Sequence, residues 1–167
     1  MTTAGELCTR EVTVMDLDEP LMAAAELMRN QHVGTVVVVQ QRDGVRVPVG
    51  IVTDRDIVVG VLATTPEKAA LLTMADVLAT PLVTARASDD VLDVVRRMRA
   101  HGVRRMPVVN AQGTLEGILT LDDVVDLLSE LARELSAIIK VEQDNERRTR
   151  TPPRPGAGAS GASRELS

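Results

Sequence analysis

A chain of 167 residues, 44% hydrophobic and 26% charged, has the make-up of a soluble globular body: one compact domain, or two half-sized units sharing a core. Its net charge of −5 hides a split, because residues 147–167 hold five Arg and one Glu, a local +4 that leaves −9 on the rest. That acidity makes nucleic acid and anionic membrane poor partners, and with no Phe, Tyr or Trp there is no ring on which to stack a base.

A body of this length buries roughly two-thirds of its unfolded surface, so it needs neither disulfide nor structural metal to fold. The single Cys8 excludes an internal disulfide and fits a reducing compartment. The opening residues show no basic stretch followed by an apolar one, and no apolar run approaches the ~20 residues that span a bilayer. The expected location is the cytoplasm.

In chain order, a short apolar opening at Val12-Thr13 leads to a predicted helix that starts near Glu19-Pro20 and is capped by Asp16 or Asp18. Leu21, Ala24, Ala25 and Met28 share one face of it at helical spacing. The β-branched run from Thr35 to Val39 suits a strand buried on both faces. The turn Gln41-Arg-Asp-Gly44 and a second strand ending in Thr53 complete a hairpin, and another helix starts directly after Thr53. The same order then recurs. Ser88 is the expected cap, Asp89 and Asp90 fill the first turn, and Val91, Val94, Val95 and Met98 form the apolar face. Met106 to Val109 is the buried strand, Ala111-Gln-Gly113 the turn, and Thr120 ends the second strand.

The last helix is longer. Val124, Leu127, Leu128, Leu131, Leu135, Ile138 and Ile139 recur at three- and four-residue spacing to about Val141. That stripe either packs within the chain or faces a second subunit. Residues 149–167, rich in Pro, Gly, Ala and Ser, have no periodicity and are expected to be a disordered tail. The expected organisation is therefore a unit at 6–64, a linker at 65–76, a second unit at 77–131, a helical extension at 132–148 and the tail.

The two units match in detail. Gly50-Ile-Val-Thr-Asp-Arg-Asp-Ile57 returns as Gly117-Ile-Leu-Thr-Leu-Asp-Asp-Val124 at an offset of 67. Leu21, Met28 and Val33 pair with Val91, Met98 and Val103 at 70, and Leu7, Thr9, Val12 and Thr13 pair with Leu78, Thr80, Val83 and Thr84 at 71. A fixed order of elements with length changes only between them marks a duplicated structural unit.

The Gly-x-x-Thr-x-x-Asp signature, present twice, has two physical meanings. Thr-x-x-acid at a strand-to-helix junction is a capping box, although Asp is one methylene shorter than the usual Glu. The same carboxylate can instead accept from both hydroxyls of a ribose, with Thr adding a polar contact and the helix N-terminus favouring phosphate. The Gly three residues earlier would let a ligand approach the strand.

Together with Val12-Thr-Val14, Val83-Thr84 and Val103-Arg-Arg-Met-Pro-Val-Val109, these signatures resemble a tandem pair of cystathionine-β-synthase (CBS) domains, the regulatory unit also called a Bateman module. The resemblance covers about Glu6 to Leu131; Val36-Val-Val38 departs from it by lacking the Pro of Met106-Pro-Val108. It implies an α+β fold of two β-α-β-β-α units packed as a pseudo-symmetric pair. It also implies ligand sites shared between the copies. Thr120 and Asp123 would hold a ribose whose adenine lies beside Val12-Thr13 and Gly34-Thr35. Thr53 and Asp56 would hold another against Val83-Thr84, with Met106 and Pro107 as apolar walls. Arg55, Arg104 and Arg105 would supply positive charge for phosphate.

Other chemistries find no support. His32, His101 and Cys8 are too few for a structural zinc site, and no Gly-x-Ser-x-Gly, Walker loop or His-Glu-x-x-His is present. Cys8 with either His has no local pattern of a nucleophile. The expectation is a stand-alone, non-catalytic sensor of AMP, ADP, ATP or S-adenosylmethionine, without a resident cofactor. It would act as a homodimer whose change is read by a protein partner. The competing classes are a scaffold whose Asp residues are only caps, and a nucleic-acid accessory protein using the Arg-rich tail.

Overall fold

The computed structural model describes residues 2–78 and 81–150. Residues Met1–Asp126 form one compact unit, and those from Leu127 onward a second. The first unit contains two three-stranded sheets, ordered β1-β2-β3 and β4-β5-β6. In the first, β1 (Val14–Asp16) runs parallel to β2 (Thr35–Arg42), which pairs antiparallel with β3 (Val45–Thr53). In the second, β4 (Ala85–Arg86), β5 (Arg105–Val109) and β6 (Leu115–Thr120) repeat that pattern. Both hairpins carry an irregularity at the same place in the repeat, between Val38 and Val39 and between Val108 and Val109. The duplication extends to backbone detail.

Each sheet is backed by a helix joining its parallel strands, α2 (Leu21–Gln31) and α4 (Val91–His101). Leu21, Ala24 and Met28 bury the inner face of α2, and Val91, Val94 and Met98 that of α4. Their caps differ from expectation. Pro20 stands at the N-cap of α2 without a side-chain hydrogen bond, while Asp90, not Ser88, caps α4 by accepting from the Leu92 N–H at 3.0 Å. Both helices end on a left-handed residue, His32 (φ 54°) and Gly102 (φ 66°), as the αL C-cap requires. His32 thus has a backbone role where the second copy uses glycine. The Asp43-Gly44 turn has positive φ at both residues, the geometry that matches the twist of a two-residue hairpin.

The helices after Thr53 and Thr120 differ. Residues Asp56–Leu62 form a π-helix, whereas α5 runs regularly from Leu121 to Thr149. Ile57, Val58, Val59 and Val61 crowd the first with β-branched side chains, and Gly60 loosens it further. Helix α5 takes in the expected extension at 132–148 and runs on to Thr149, the first residue of the expected tail at 149–167; 151–167 lie outside the described residues.

Composition alone did not reveal an exchange between the copies. The short helix α1 (Ala4–Leu7) precedes the first copy but docks on the second: Ala4 N–H donates to Asp89 O at 2.8 Å and Gly5 N–H to Ala87 O at 2.9 Å. Its counterpart α3 (Met74–Val77), after a 3-10 turn at Pro66–Leu71, docks on the first copy through Met74 N–H to Glu19 O and Ala75 N–H to Leu17 O, both 2.9 Å. Two apolar cores result, one around Leu21, Val36, Val38, Val52 and Met74, the other around Ala4, Val94, Met98, Met106 and Leu119.

This exchange gives the signature glycines a different purpose from the one expected. A Cβ on Gly117 would stand 2.6 Å from Cys8 Sγ and 2.7 Å from Thr9 O; one on Gly50 would collide with the Leu78 side chain. The space is filled by the crossing segments of the chain, not left for a ligand. Thr9 and Ile118 exchange two backbone hydrogen bonds of 3.0 Å there, so the Gly117 neighbour cannot move aside. Gly117→Ala should therefore destabilise by ~1–3 kcal/mol, the usual cost of overpacking. Gly60→Ala, where nothing lies within 4 Å, should not destabilise; paired urea melts would separate the two.

Candidate functional site

Thr53 and Thr120 end their strands, and the chain turns directly into a helix. At both junctions the Asp three residues later folds back. Asp56 Oδ2 accepts from Thr53 N at 2.8 Å and Thr53 Oγ1 at 2.7 Å; Asp123 Oδ2 accepts from Thr120 N and Oγ1, both at 2.7 Å. In return each Thr Oγ1 accepts from the Asp N–H, at 3.2 and 3.3 Å. These are closed capping boxes, and the short Asp reaches after all. Thr73 and Asp76 close a third. The extra contact expected from the Thr hydroxyl is altered accordingly, because its proton is committed to the carboxylate.

Capping does not exhaust the carboxylates. All these bonds fall on Oδ2, and among the described residues nothing donates to Oδ1 of Asp56 or Asp123. The threonine thus holds each carboxylate by one oxygen, Oδ2.

Two cavities adjoin the signature threonines, and pseudo-symmetry relates them; a further groove of about 520 Å³ is also lined by Arg55 and Asp56. The first, of about 240 Å³, collects Val12, Thr13, Gly34 and Thr35 from the first copy with Arg105 and Thr120 from the second. Asp123 is hydrogen-bonded to Thr120 but is not itself among the lining residues. The second, of about 350 Å³, collects Thr53, Arg55 and Asp56 from the first copy with Val83, Arg104 and Arg105 from the second. A larger groove of about 490 Å³ beside Asp16, Asp18 and Thr73 has only acidic charge and neither signature.

Three expected residues lie elsewhere. Met106, in the second core, and Pro107 are both fully buried, because β5 is covered on both faces, and neither lines either of the two cavities. Thr84 is not among the residues lining the second cavity, and its carbonyl accepts from Arg97 Nη1 of α4 at 3.1 Å. Conversely Ile118 and Ile51 line the cavities unannounced. Their signal was available: each sits two residues before a signature Thr, on the same strand face.

Several polar groups around the cavities lack partners. The buried Thr35 Oγ1 has no hydrogen bond. Among the described residues no backbone hydrogen bond engages Val12 or Val83, and none of Arg55, Arg104 and Arg105 meets a carboxylate. By contrast Cys8 is buried, which pushes its thiol above the ordinary range against the opposing charge of Arg10, so it stays protonated. Among the described residues no group of three His, Cys, Asp or Glu side chains is placed to hold a metal ion, and no helix is long and apolar enough to cross a membrane.

The CBS domain profile matches twice, over residues 4–62 and 74–130, the two halves just described. The chain belongs to the CBS domain family. Hypoxic response protein 1 of Mycobacterium tuberculosis is 32% identical over 134 residues, covering 79% of this chain and 89% of that one. The crystal structure of hypoxic response protein I with two coordinated zinc ions matches this CBS pair at a TM-score of 0.66 and 30% identity, covering 75% of this chain and 98% of that one. Two further solved structures share the fold. The CBS domain pair of protein MJ0100, in complex with 5′-methylthioadenosine and S-adenosylmethionine, matches at a TM-score of 0.64 and 20% identity over 76% of this chain and 99% of that one. The cytosolic domain of the Mg²⁺ channel MgtE, in complex with ATP, matches at 0.63 and 24% identity over 75% of this chain and 48% of that one. Neighbouring CBS pairs thus bind adenosine-containing ligands.

Proposed function

We propose that this CBS pair is a non-catalytic sensor that binds an adenosine-containing ligand in the clefts between its two copies. The observation that carries this is the half-used carboxylate. At Asp56 and Asp123 one oxygen is fixed by the threonine and the other is left to accept from ribose hydroxyls, beside an opening segment lent by the opposite copy. Val12 and Val83 leave a backbone N–H and C=O that suit the donor and acceptor edge of adenine. Apolar walls come from Ile51 and Ile118, since the chain has no Phe, Tyr or Trp. Because each ligand would bridge both copies, occupancy would alter how firmly the two are held together, a change that a protein partner reads.

An ultraviolet spectrum of the purified protein tests this directly. With no Trp, Tyr or Phe, a band near ~260 nm reports carried-over nucleotide, which mass spectrometry of the extract identifies. Absence of binding to AMP, ADP, ATP and S-adenosylmethionine at millimolar concentration would leave the scaffold alternative standing.

A homodimer accompanies this proposal. From Leu127 to Thr149 helix α5 buries no residue, and Leu128, Leu131, Leu135, Ile138 and Ile139 stand 52–62% exposed at three- and four-residue spacing. A second copy of the same stripe is the self-complementary surface that two-fold association requires. Light scattering should report about twice 17.9 kDa, and Leu135→Asp with Ile138→Asp should shift the mass toward monomer. A monomeric wild type would refute the dimer.

A further inference from the structure

The two cavities occupy equivalent places in the repeat, yet their charges are opposed. Arg55, Arg104 and Leu82 face the Thr53–Asp56 cavity. At the corresponding repeat positions the chain carries Asp122, Gly34 and Glu11. Glu11 and Gly34 line the Thr120–Asp123 cavity, and the Asp54 carboxylate lies against Gly34, 3.1 Å from where its Cβ would stand. Arg55 and Arg104 thus add positive charge to the first cavity, and Glu11 adds negative charge to the second. Arg105 touches both and so discriminates neither. The cationic cavity is also the roomier, about 350 against 240 Å³.

We infer that the two clefts sort adenosine compounds by charge: the Thr53–Asp56 cavity takes a phosphate-bearing nucleotide, and the Thr120–Asp123 cavity takes a phosphate-free nucleoside. This rests on the sensor proposal above and goes beyond it by assigning a ligand class to each cleft. Phosphate in the first cavity meets guanidinium groups that have no carboxylate partner among the described residues, so binding breaks no ion pair formed there. Phosphate in the second meets Glu11, with the Asp54 carboxylate close to Gly34 and only Arg105 to offset them, and like charge in a confined site rejects it. A neutral nucleoside is not rejected, and the orphaned Thr35 hydroxyl gains a partner from it. One chain would thereby report two kinds of adenosine compound at once.

Equilibrium dialysis of the full chain, freed of carried-over ligand, tests this with AMP and adenosine as probes. Adenosine should saturate at two per chain, AMP at one, and AMP should displace only one of two bound adenosines. Salt should weaken AMP binding and leave the undisplaced adenosine unaffected. Arg55→Asp with Arg104→Gly should lower AMP affinity about 10- to 100-fold, the loss of charge-assisted hydrogen bonds, with adenosine still saturating at two. The opposite exchange, Glu11→Leu with Gly34→Arg and Asp54→Leu, should raise AMP stoichiometry to two, a gain that misfolding cannot imitate. Two equivalent AMP sites in the wild type, or AMP affinity indifferent to loss of Arg55 and Arg104, would overturn the sorting while leaving the sensor intact. If neither probe binds at all, the sensor proposal falls as well.

Discussion

Asp56→Ala or Asp123→Ala is expected to lower adenosine-ligand affinity at its own cavity about 10- to 100-fold, because a charged acceptor of ribose hydroxyls is lost. Each substitution should also cost ~1 kcal/mol of stability, since the same carboxylate closes a capping box on Thr53 or Thr120. The two effects are separated by Glu6→Ala, which opens the equivalent box on Thr3 in α1, away from both cavities. It should lower stability and leave affinity alone. Titration calorimetry beside thermal melts of the three variants reads both quantities. An affinity that follows stability equally in all three would show that the carboxylates are caps and nothing more.

Met106→Ala should be the most destabilising of the changes considered, at ~2–5 kcal/mol, the range for emptying a fully buried methionine. The side chain lies among Val94, Met98, Val108 and Leu119, where α4 covers the second sheet, and the close-packed surroundings refill such a space only in part. Chemical denaturation should show a lower midpoint with an unchanged slope. Ligand affinity of the folded fraction should be preserved, because Met106 does not reach a cavity. Were it a wall of the nucleotide site, affinity would fall before stability did.

Most of the architecture was legible in the chain. Repeat offsets exposed the duplication because element order is kept while loops change length, and Val-rich runs marked the buried strands because both faces are covered. The signature also marked the strand-to-helix junctions, which have one geometry wherever they occur; Thr53 and Asp56 line one cavity and Thr120 the other. Val12, Thr13, Gly34, Thr35, Arg55, Val83, Arg104 and Arg105 each line one of the two cavities.

What local pattern could not decide was which copy each segment serves. Leu7 and Leu78 announced themselves as equivalent, yet nothing in the sequence says that each crosses to the other copy's core. That exchange is long-range, and it alone explains why Gly50 and Gly117 must lack side chains. The fate of Met106, Pro107 and Thr84 was decided the same way: a strand residue's neighbours depend on what covers the sheet, not on its own alternation. The sequence by itself determined the repeat, the junctions and the charge of every residue around them. Only the tertiary structure determined which of those charges face the same cavity, because it is the packing of one copy against the other that brings Arg104 to Asp56 and Glu11 to Thr120.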